Sequence, residues 1–301
     1  MSGPSGRVLL TGAAGFTGRF MRTELEAHGY EVVGLGGGER DGGHVADGIS
    51  VDLRDGDAVK RAVREVRPDR VVHLAAKAFV GHGSPRDFYD VNLLGTRNLL
   101  EALAETDATP DRVLLASSAN VYGNASEGML DESTPPEPAN DYAVSKLAME
   151  YAARLWAGRL PLVLVRPFNY TGVGQAENFL IPKIVAHFRR RASVIELGNL
   201  DVRRDFSDVR AVVEAYRRLL AAPGAVGKTL NICSGVTCSL RDIIAMCETL
   251  TGHRIRVDVN PAFVRENEVK VLFGANTALK QVIGEWSGPT LQQTLEWMLD
   301  T

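Results

Sequence analysis

The sequence predicts a doubly wound α/β fold: a parallel (Rossmann) sheet with helices on both faces, plus a smaller C-terminal substrate-binding lobe. Three observations carry this. Short runs are apolar throughout rather than alternating, amphipathic segments separate them, and the rhythm changes beyond Arg166. Strands covered on both faces lose the polar alternation of a half-exposed sheet, and regular strand–helix alternation marks a parallel one.

Arg7-Val-Leu-Leu10 is the first strand, followed by a glycine-rich turn and a helix through about His28. Glu31–Leu35 is the second strand, residues near Ile49–Val51 the third, and Asp55–Val66 a helix with apolar residues every three or four positions. Arg70–Leu74 is the fourth strand, Asp90–Glu105 a leucine-bearing helix, and Arg112–Ala116 the fifth strand. Tyr142–Trp156 is the next helix and Leu162–Val165 the sixth strand. Beyond Arg166, Asn169–Gln175 reads as loop, Phe179–Arg191 as helix and Val194–Leu197 as strand. Asp208–Leu220 is a helix, Leu230–Ile232 a short strand, and Leu240–Leu250 and Leu291–Leu299 are helices. The expected first domain is 1–168, with 207–232 returning to it; 169–206 and 233–301 form the smaller lobe.

The 301 residues are 45% hydrophobic and 24% charged, an ordinary globular composition. A net charge of −3 gives no electrostatic reason for a nucleic-acid or anionic-membrane partner. No apolar stretch approaches the roughly 20 residues that span a bilayer, and Met1–Gly6 is short and polar, so a cytoplasmic protein is expected. Cys233, Cys238 and Cys247 are an odd, sparse set without metal-ligand spacing, so no metal is implied.

Thr11-Gly-Ala-Ala-Gly-Phe-Thr-Gly18 lies between the first strand and first helix. Gly12 permits a tight turn, Gly15 lets the backbone approach a pyrophosphate, and Gly18 lets helix pack on strand. The helix start, with Phe16 and Thr17, offers free N–H groups and a partial positive charge to phosphate. Dinucleotide binding is the functional reading and a purely structural turn its alternative. An acid after the second strand would favour NAD, an arginine NADP. Gly36–Gly38 stand there, with Arg40 within reach, so NADPH is expected, with NADH the alternative. Asp52, ahead of Leu53, either meets the adenine amino group or is a helix N-terminal acid.

Tyr142-Ala-Val-Ser-Lys146 opens a helix, and residues i and i+4 share one face. Lys146 can hydrogen-bond the cofactor ribose and lower the tyrosine pKa. Moving it from about 10 to near 7 takes about 4 kcal/mol of phenolate stabilisation. Ser118 ends the fifth strand, at the sheet edge where such folds bind ligands, and its hydroxyl suits a reacting carbonyl oxygen. The alternative is a strand-terminal serine beside a packed tyrosine.

These residues together resemble the extended short-chain dehydrogenases/reductases that modify nucleotide sugars. The resemblance runs through Thr11–Gly18, His73-Leu-Ala-Ala76, Asn92, Ser117-Ser118, Tyr142–Lys146, Arg166-Pro-Phe-Asn169, Arg204–Val209, and Arg265 with Glu268. It implies that Asn92 holds the active-site geometry and that Leu74, Ala75, Ala76 and Pro167 line the cofactor. Arg166–Asn169 would lie at the nicotinamide and sugar phosphate. Asn120, Asn169, Asn178, Arg204, Arg265 and Glu268 would contact substrate, the arginines gripping its diphosphate by paired hydrogen bonds. On residues alone, both arginines read as solvated surface. Related dehydratases carry acids where this chain has Ala119-Asn120, so dehydration is not expected. Epimerases hold NAD with an acid after the second strand, absent here.

Residues 166–175 look most like the GDP-4-keto-6-deoxymannose reductases, which make GDP-rhamnose, although Tyr170 replaces a more usual histidine. The expected activity is NADPH-dependent reduction of a GDP-linked 4-keto-6-deoxy sugar by a homodimer. A 4-epimerase, a reductase of a 6-deoxyheptose or talose-forming sugar, and a silent NAD(P)-binding sensor are the alternatives.

Overall fold

The computed structural model describes residues 6–37, 48–78, 84–124, 127–263 and 269–301. Strand β1 (Arg7–Thr11), helix α1 (Phe16–Ala27), β2 (Glu31–Leu35), α2 (Gly56–Val66) and β4 (Arg70–His73) match the sequence pattern closely, whereas β3 (Gly48–Ile49) keeps only Ile49 of the expected stretch 49–51. The pattern also holds for β5 (Arg112–Ala116), α5 (Asp141–Arg154) and β7 (Leu162–Pro167). Between β4 and β5 the expected single helix is three pieces: α3 (Pro85–Phe88), a π turn over Tyr89–Gly95, and α4 (Thr96–Ala104). The wider turn carries Asn92 inward to make three hydrogen bonds, which offset the poorer backbone geometry.

The main sheet is parallel, in the order β3-β2-β1-β4-β5-β7-β11, where β11 is Thr229–Ile232. Strand order reverses between β1 and β4, which opens a crevice at their carboxyl ends. Val8 and Leu10 of β1 join one buried cluster with Met21 and Leu25 of α1 and the apolar stripe of α7 (Val209–Ala221). Leu9 joins the other, with Val59 and Val63 of α2, Leu99 and Leu100 of α4, and Met149 of α5. Each fully buried Leu or Val contributes about 1.5–3 kcal/mol, so this two-sided burial is what holds the strands.

A second sheet, β12 (Thr237–Ser239), β10 (Arg203–Asp208), β14 (Val271–Gly274) and β6 (Gly128–Leu130), also receives β8 (Asn169–Thr171) on β10. Residues 169–171, expected as loop, pair in parallel with Phe206–Asp208. Helix α6 (Leu180–Arg189), the pair β9 (Val194–Leu197) and β13 (Arg256–Val259), α8 (Leu240–Thr251), α9 (Thr277–Ile283) and α10 (Leu291–Asp300) complete the chain. Among the described residues no helix is long and apolar enough to cross a membrane.

Candidate active site

The glycine loop sits at the crevice. Gly12 has φ +71°, and a Cβ there would come within 2.8 Å of the Ala75 nitrogen. A Cβ on Gly18 would stand 2.1 Å from the Gly12 oxygen, so both positions require glycine for packing. Gly15 differs: only the Gly12 oxygen, 3.2 Å away, would touch its Cβ, leaving room for a ligand to approach the backbone. It is the N-cap of α1, with no side-chain cap and no acid in the first turn, so the donors of Phe16, Thr17 and Gly18 suit an anion.

Across the crevice, Leu74 N donates to Thr11 O (3.2 Å) and Ala75 N to Thr11 Oγ1 (3.1 Å), which fixes the segment running on to Ala76 beside the loop. Asn92 locks the backbone at Lys77: its Oδ1 accepts from Lys77 N (2.9 Å) and its Nδ2 donates to Lys77 O (3.1 Å). Leu53 is buried, its carbonyl accepting from Asn98 Nδ2 (2.8 Å). The Asp52 carboxylate takes a two-pronged grip from Arg54, at 2.9 and 2.5 Å, and the cap of α2 is Asp55 instead. Gly36 and Gly37 both have positive φ beyond β2. Arg40, Arg265 and Glu268 lie outside the described residues.

At the end of β5, Ser118 and Tyr142 are nearly buried, at 8% and 9% exposure, and the serine side chain lies close enough to influence the phenol. Phe88 packs edge-on against the Tyr142 ring, with centroids 6.1 Å apart. Lys146 Nζ donates to Ala116 O at 2.7 Å. Burial pushes the Tyr142 phenol up to about 12, against the lowering influence of Ser118. It also pulls Lys146 down to about 8, opposed by the charge of Glu150. Desolvation thus outweighs Ser118 at the phenol, and the lysine ammonium is directed to a strand-end carbonyl. A phenol with this pKa stays protonated at neutral pH and is suited to donate.

Glu150, the next residue on the Tyr142–Lys146 face, is fully buried. It accepts two hydrogen bonds from Arg166 (2.9 and 2.7 Å) and one from Ser117 Oγ (2.5 Å). Arg166 stacks over Tyr122, 4.9 Å from its centroid, and burial opposes but does not overcome the raising effect of Glu150 on its pKa. Arg166 thus faces the core and braces α5, whereas the motif had suggested a place at the sugar phosphate. Extending the i, i+4 pattern by one step would have found Glu150. Pro167 sits at the buried end of β7, paired with Ile232.

On the second sheet's side, Asn120 is exposed on the short turn after Ser118, and its backbone nitrogen donates to Ser118 Oγ (3.1 Å). Asn169 donates to Asp205 O (3.2 Å), and Asn178 is exposed just before α6. Arg204 donates to Arg203 O at 2.9 Å and lies half-buried on β10. Tyr170 joins the two sides. Its hydroxyl meets Thr17 Oγ1 at 2.8 Å, and its ring stacks on Phe16 at 6.2 Å and 14°.

Residues 8–233 match the NAD dependent epimerase/dehydratase family. The chain is 34% identical to a GDP-6-deoxy-D-talose 4-dehydrogenase from Aggregatibacter actinomycetemcomitans, over 92% of this chain and 91% of that protein. It is 32% identical to a GDP-6-deoxy-D-mannose reductase from Pseudomonas aeruginosa, over 97% and 96%. A crystal structure of a candidate epimerase from Burkholderia cenocepacia J2315 superposes with TM-score 0.93 at 51% identity, covering 99% and 98%. A structure of RMD from Pseudomonas aeruginosa complexed with NADPH gives 0.88 at 30%, covering 100% and 98%. The chain therefore belongs to the NAD dependent epimerase/dehydratase family and is an NAD(P)-dependent enzyme of the extended short-chain dehydrogenase/reductase type.

Proposed function

We propose that this enzyme reduces the C4 ketone of a nucleotide-linked 4-keto-6-deoxy sugar, GDP-4-keto-6-deoxymannose in the first instance, to GDP-rhamnose. The observation that carries this is the buried Ser118–Tyr142–Lys146 cluster, followed by Ala119 and Asn120 where a dehydration would need an acid. The named activities of the two curated relatives support a GDP-linked 6-deoxyhexose.

The glycine cradle fits a dinucleotide, because the space over Gly15 and the uncapped start of α1 suit a pyrophosphate. Bound there, NADPH would supply the hydride, and the related NADPH complex supports that choice of cofactor. Tyr142 gives its phenolic proton to the ketone oxygen while Ser118 orients that oxygen. Lys146, which donates to Ala116 O, would hold the cofactor ribose, and its positive charge would support the phenolate left behind. Arg204 and Arg265 take the diphosphate, and Asn120, Asn169, Asn178 and Glu268 the rest of the substrate. Residues 1–168 and 207–232 serve the cofactor, and 169–206 with 233–301 the substrate. Leu94, Val144, Tyr151 and Leu155 are exposed along the π turn and α5, an apolar face suited to pairing with a second copy. The reduced, buried cysteines fit a cytoplasmic protein.

The test monitors NADPH absorbance with the keto sugar generated in situ by its dehydratase. Loss of absorbance with a rhamnose product supports the reading. A 6-deoxytalose product would place hydride on the other face of C4, a second reading favoured by the dehydrogenase relative. Interconversion of nucleotide sugars with no net NADPH oxidation would replace reduction by epimerisation.

A further inference from the structure

A continuous set of hydrogen bonds links the glycine loop to the catalytic helix, and its donors all point one way. Ala75 N donates to Thr11 Oγ1 at 3.1 Å, and Thr11 Oγ1 lies 2.7 Å from His73 Nδ1. His73 Nε2 lies 2.8 Å from Thr96 Oγ1, which donates to Asn92 O at 2.7 Å. Through Asn92 the path continues: Nδ2 donates to Ser145 Oγ (3.0 Å), and Ser145 Oγ donates to Tyr142 O (2.7 Å).

The direction is forced by counting protons. A carbonyl oxygen only accepts, so the single Thr96 hydroxyl proton goes to Asn92 O, and His73 Nε2 must donate to Thr96. A neutral imidazole then has a bare Nδ1, which accepts the Thr11 hydroxyl proton. His73, Thr96, Asn92 and Ser145 are all buried, so a broken link would leave an unpaired polar group in the interior. Burial and the nearby Lys146 charge hold the His73 imidazole down to about 3, so the ring stays neutral. A second ring proton would instead give Thr11 Oγ1 two incoming donors and strand its own proton.

We propose that His73, as the neutral Nε2-protonated tautomer, is a positioning residue that sets the catalytic helix in register with the cofactor loop. Its kinetic consequence rests on Tyr142 being the proton donor; its tautomer does not. Nitrogen NMR of the imidazole should show a protonated Nε2 and a bare Nδ1 from pH 5 to 8, whatever the substrate. A protonated Nδ1 overturns the proposal.

Kinetically, His73→Leu should cut kcat about 10- to 100-fold, the size expected from misplacing a reacting group. NADPH affinity should hold, and His73→Gln, which keeps a donor and an acceptor, should restore much of the rate. Ser145→Ala cuts the same path at its far end, so the losses in His73→Leu/Ser145→Ala should fall well short of multiplying. Should the leucine variant fail to fold, Thr96→Val severs one link at nearly constant volume and must lower kcat likewise. Multiplying losses, or an unchanged kcat in both His73→Leu and Thr96→Val, overturn it. Absence of wild-type turnover sinks the reductase reading alone, since the NMR result stands or falls without substrate.

Discussion

The two sheets of this protein bury their interiors by different physics. The seven-stranded sheet is filled by aliphatic side chains on both faces, such as Leu9, Val71, Val113 and Leu114, all without exposed surface. The second sheet is centred on β10, Arg-Arg-Asp-Phe-Ser-Asp, whose buried residues include Asp205, Ser207 and Asp208. Asp205 accepts from Ser234 N (2.9 Å), Ser234 Oγ (2.6 Å) and Gly235 N (2.8 Å). Asp208 accepts from Thr294 Oγ1 (2.8 Å) and from both the backbone and guanidinium of Arg210. The seven-stranded sheet thus depends chiefly on volume, with the Thr11–His73–Thr96 path its polar exception, and the second sheet on donor–acceptor direction. The first should tolerate a change of shape and the second should not tolerate a change of chemistry.

The largest expected effect is at Tyr142. Tyr142→Phe should lower kcat by about 10²–10⁴-fold, the range for a lost proton donor, and leave NADPH binding measurable by fluorescence titration. Full activity in that variant would remove Tyr142 from the chemistry. Next comes the contrast itself. Leu114→Ala should cost about 2–5 kcal/mol in urea unfolding, while Leu114→Met costs under about 1.5. Asp205→Asn, equal in volume, turns an amide donor towards neighbouring N–H groups and should cost about 1–3 kcal/mol. If the asparagine proves as mild as the methionine, the distinction between the sheets is wrong.

A similar effect should appear with acid. His73 in the folded protein is held down to about 3, against an ordinary value of 6.5. Below pH 6.5 the unfolded chain therefore binds a proton that the folded one refuses, and stability falls as pH falls. By pH 5 the loss is about 2 kcal/mol, and His73→Gln should flatten that part of the unfolding profile. An unchanged slope would show that the imidazole is not held neutral. The smallest effect is expected from Tyr170→Phe, which removes the bond to Thr17 but keeps the stack on Phe16. It should cost about 1 kcal/mol, seen as a modest weakening of cofactor binding.

The same contrast decides what the sequence could disclose. Strands such as Arg112–Ala116 announce themselves because burial on both faces needs nothing but apolar residues. The glycine loop and the Tyr142–Lys146 pair are legible because each obeys a local spacing. Strands β10, β12 and β14 escape because partners far along the chain, such as Ser234 and Gly274 around Asp205, decide their pairing. The π turn at Tyr89–Gly95 escapes for a related reason: its local pattern is helical, and only Lys77 and Ser145 make the inward Asn92 worthwhile. Glu150 lies one helical step beyond the Tyr142–Lys146 pair, but a glutamate on a helix reads as solvated until Arg166 is seen beside it.

The central claim is that a hydride reaches C4 of a nucleotide-linked keto sugar while Tyr142 protonates the oxygen. The most direct test supplies NADPH deuterated at the transferred position, together with GDP-4-keto-6-deoxymannose, and reads the product by mass spectrometry and NMR. One deuterium at C4 of GDP-rhamnose, formed far more slowly by Tyr142→Phe, is the predicted result. An unlabelled sugar product formed with no net oxidation of NADPH would contradict the account.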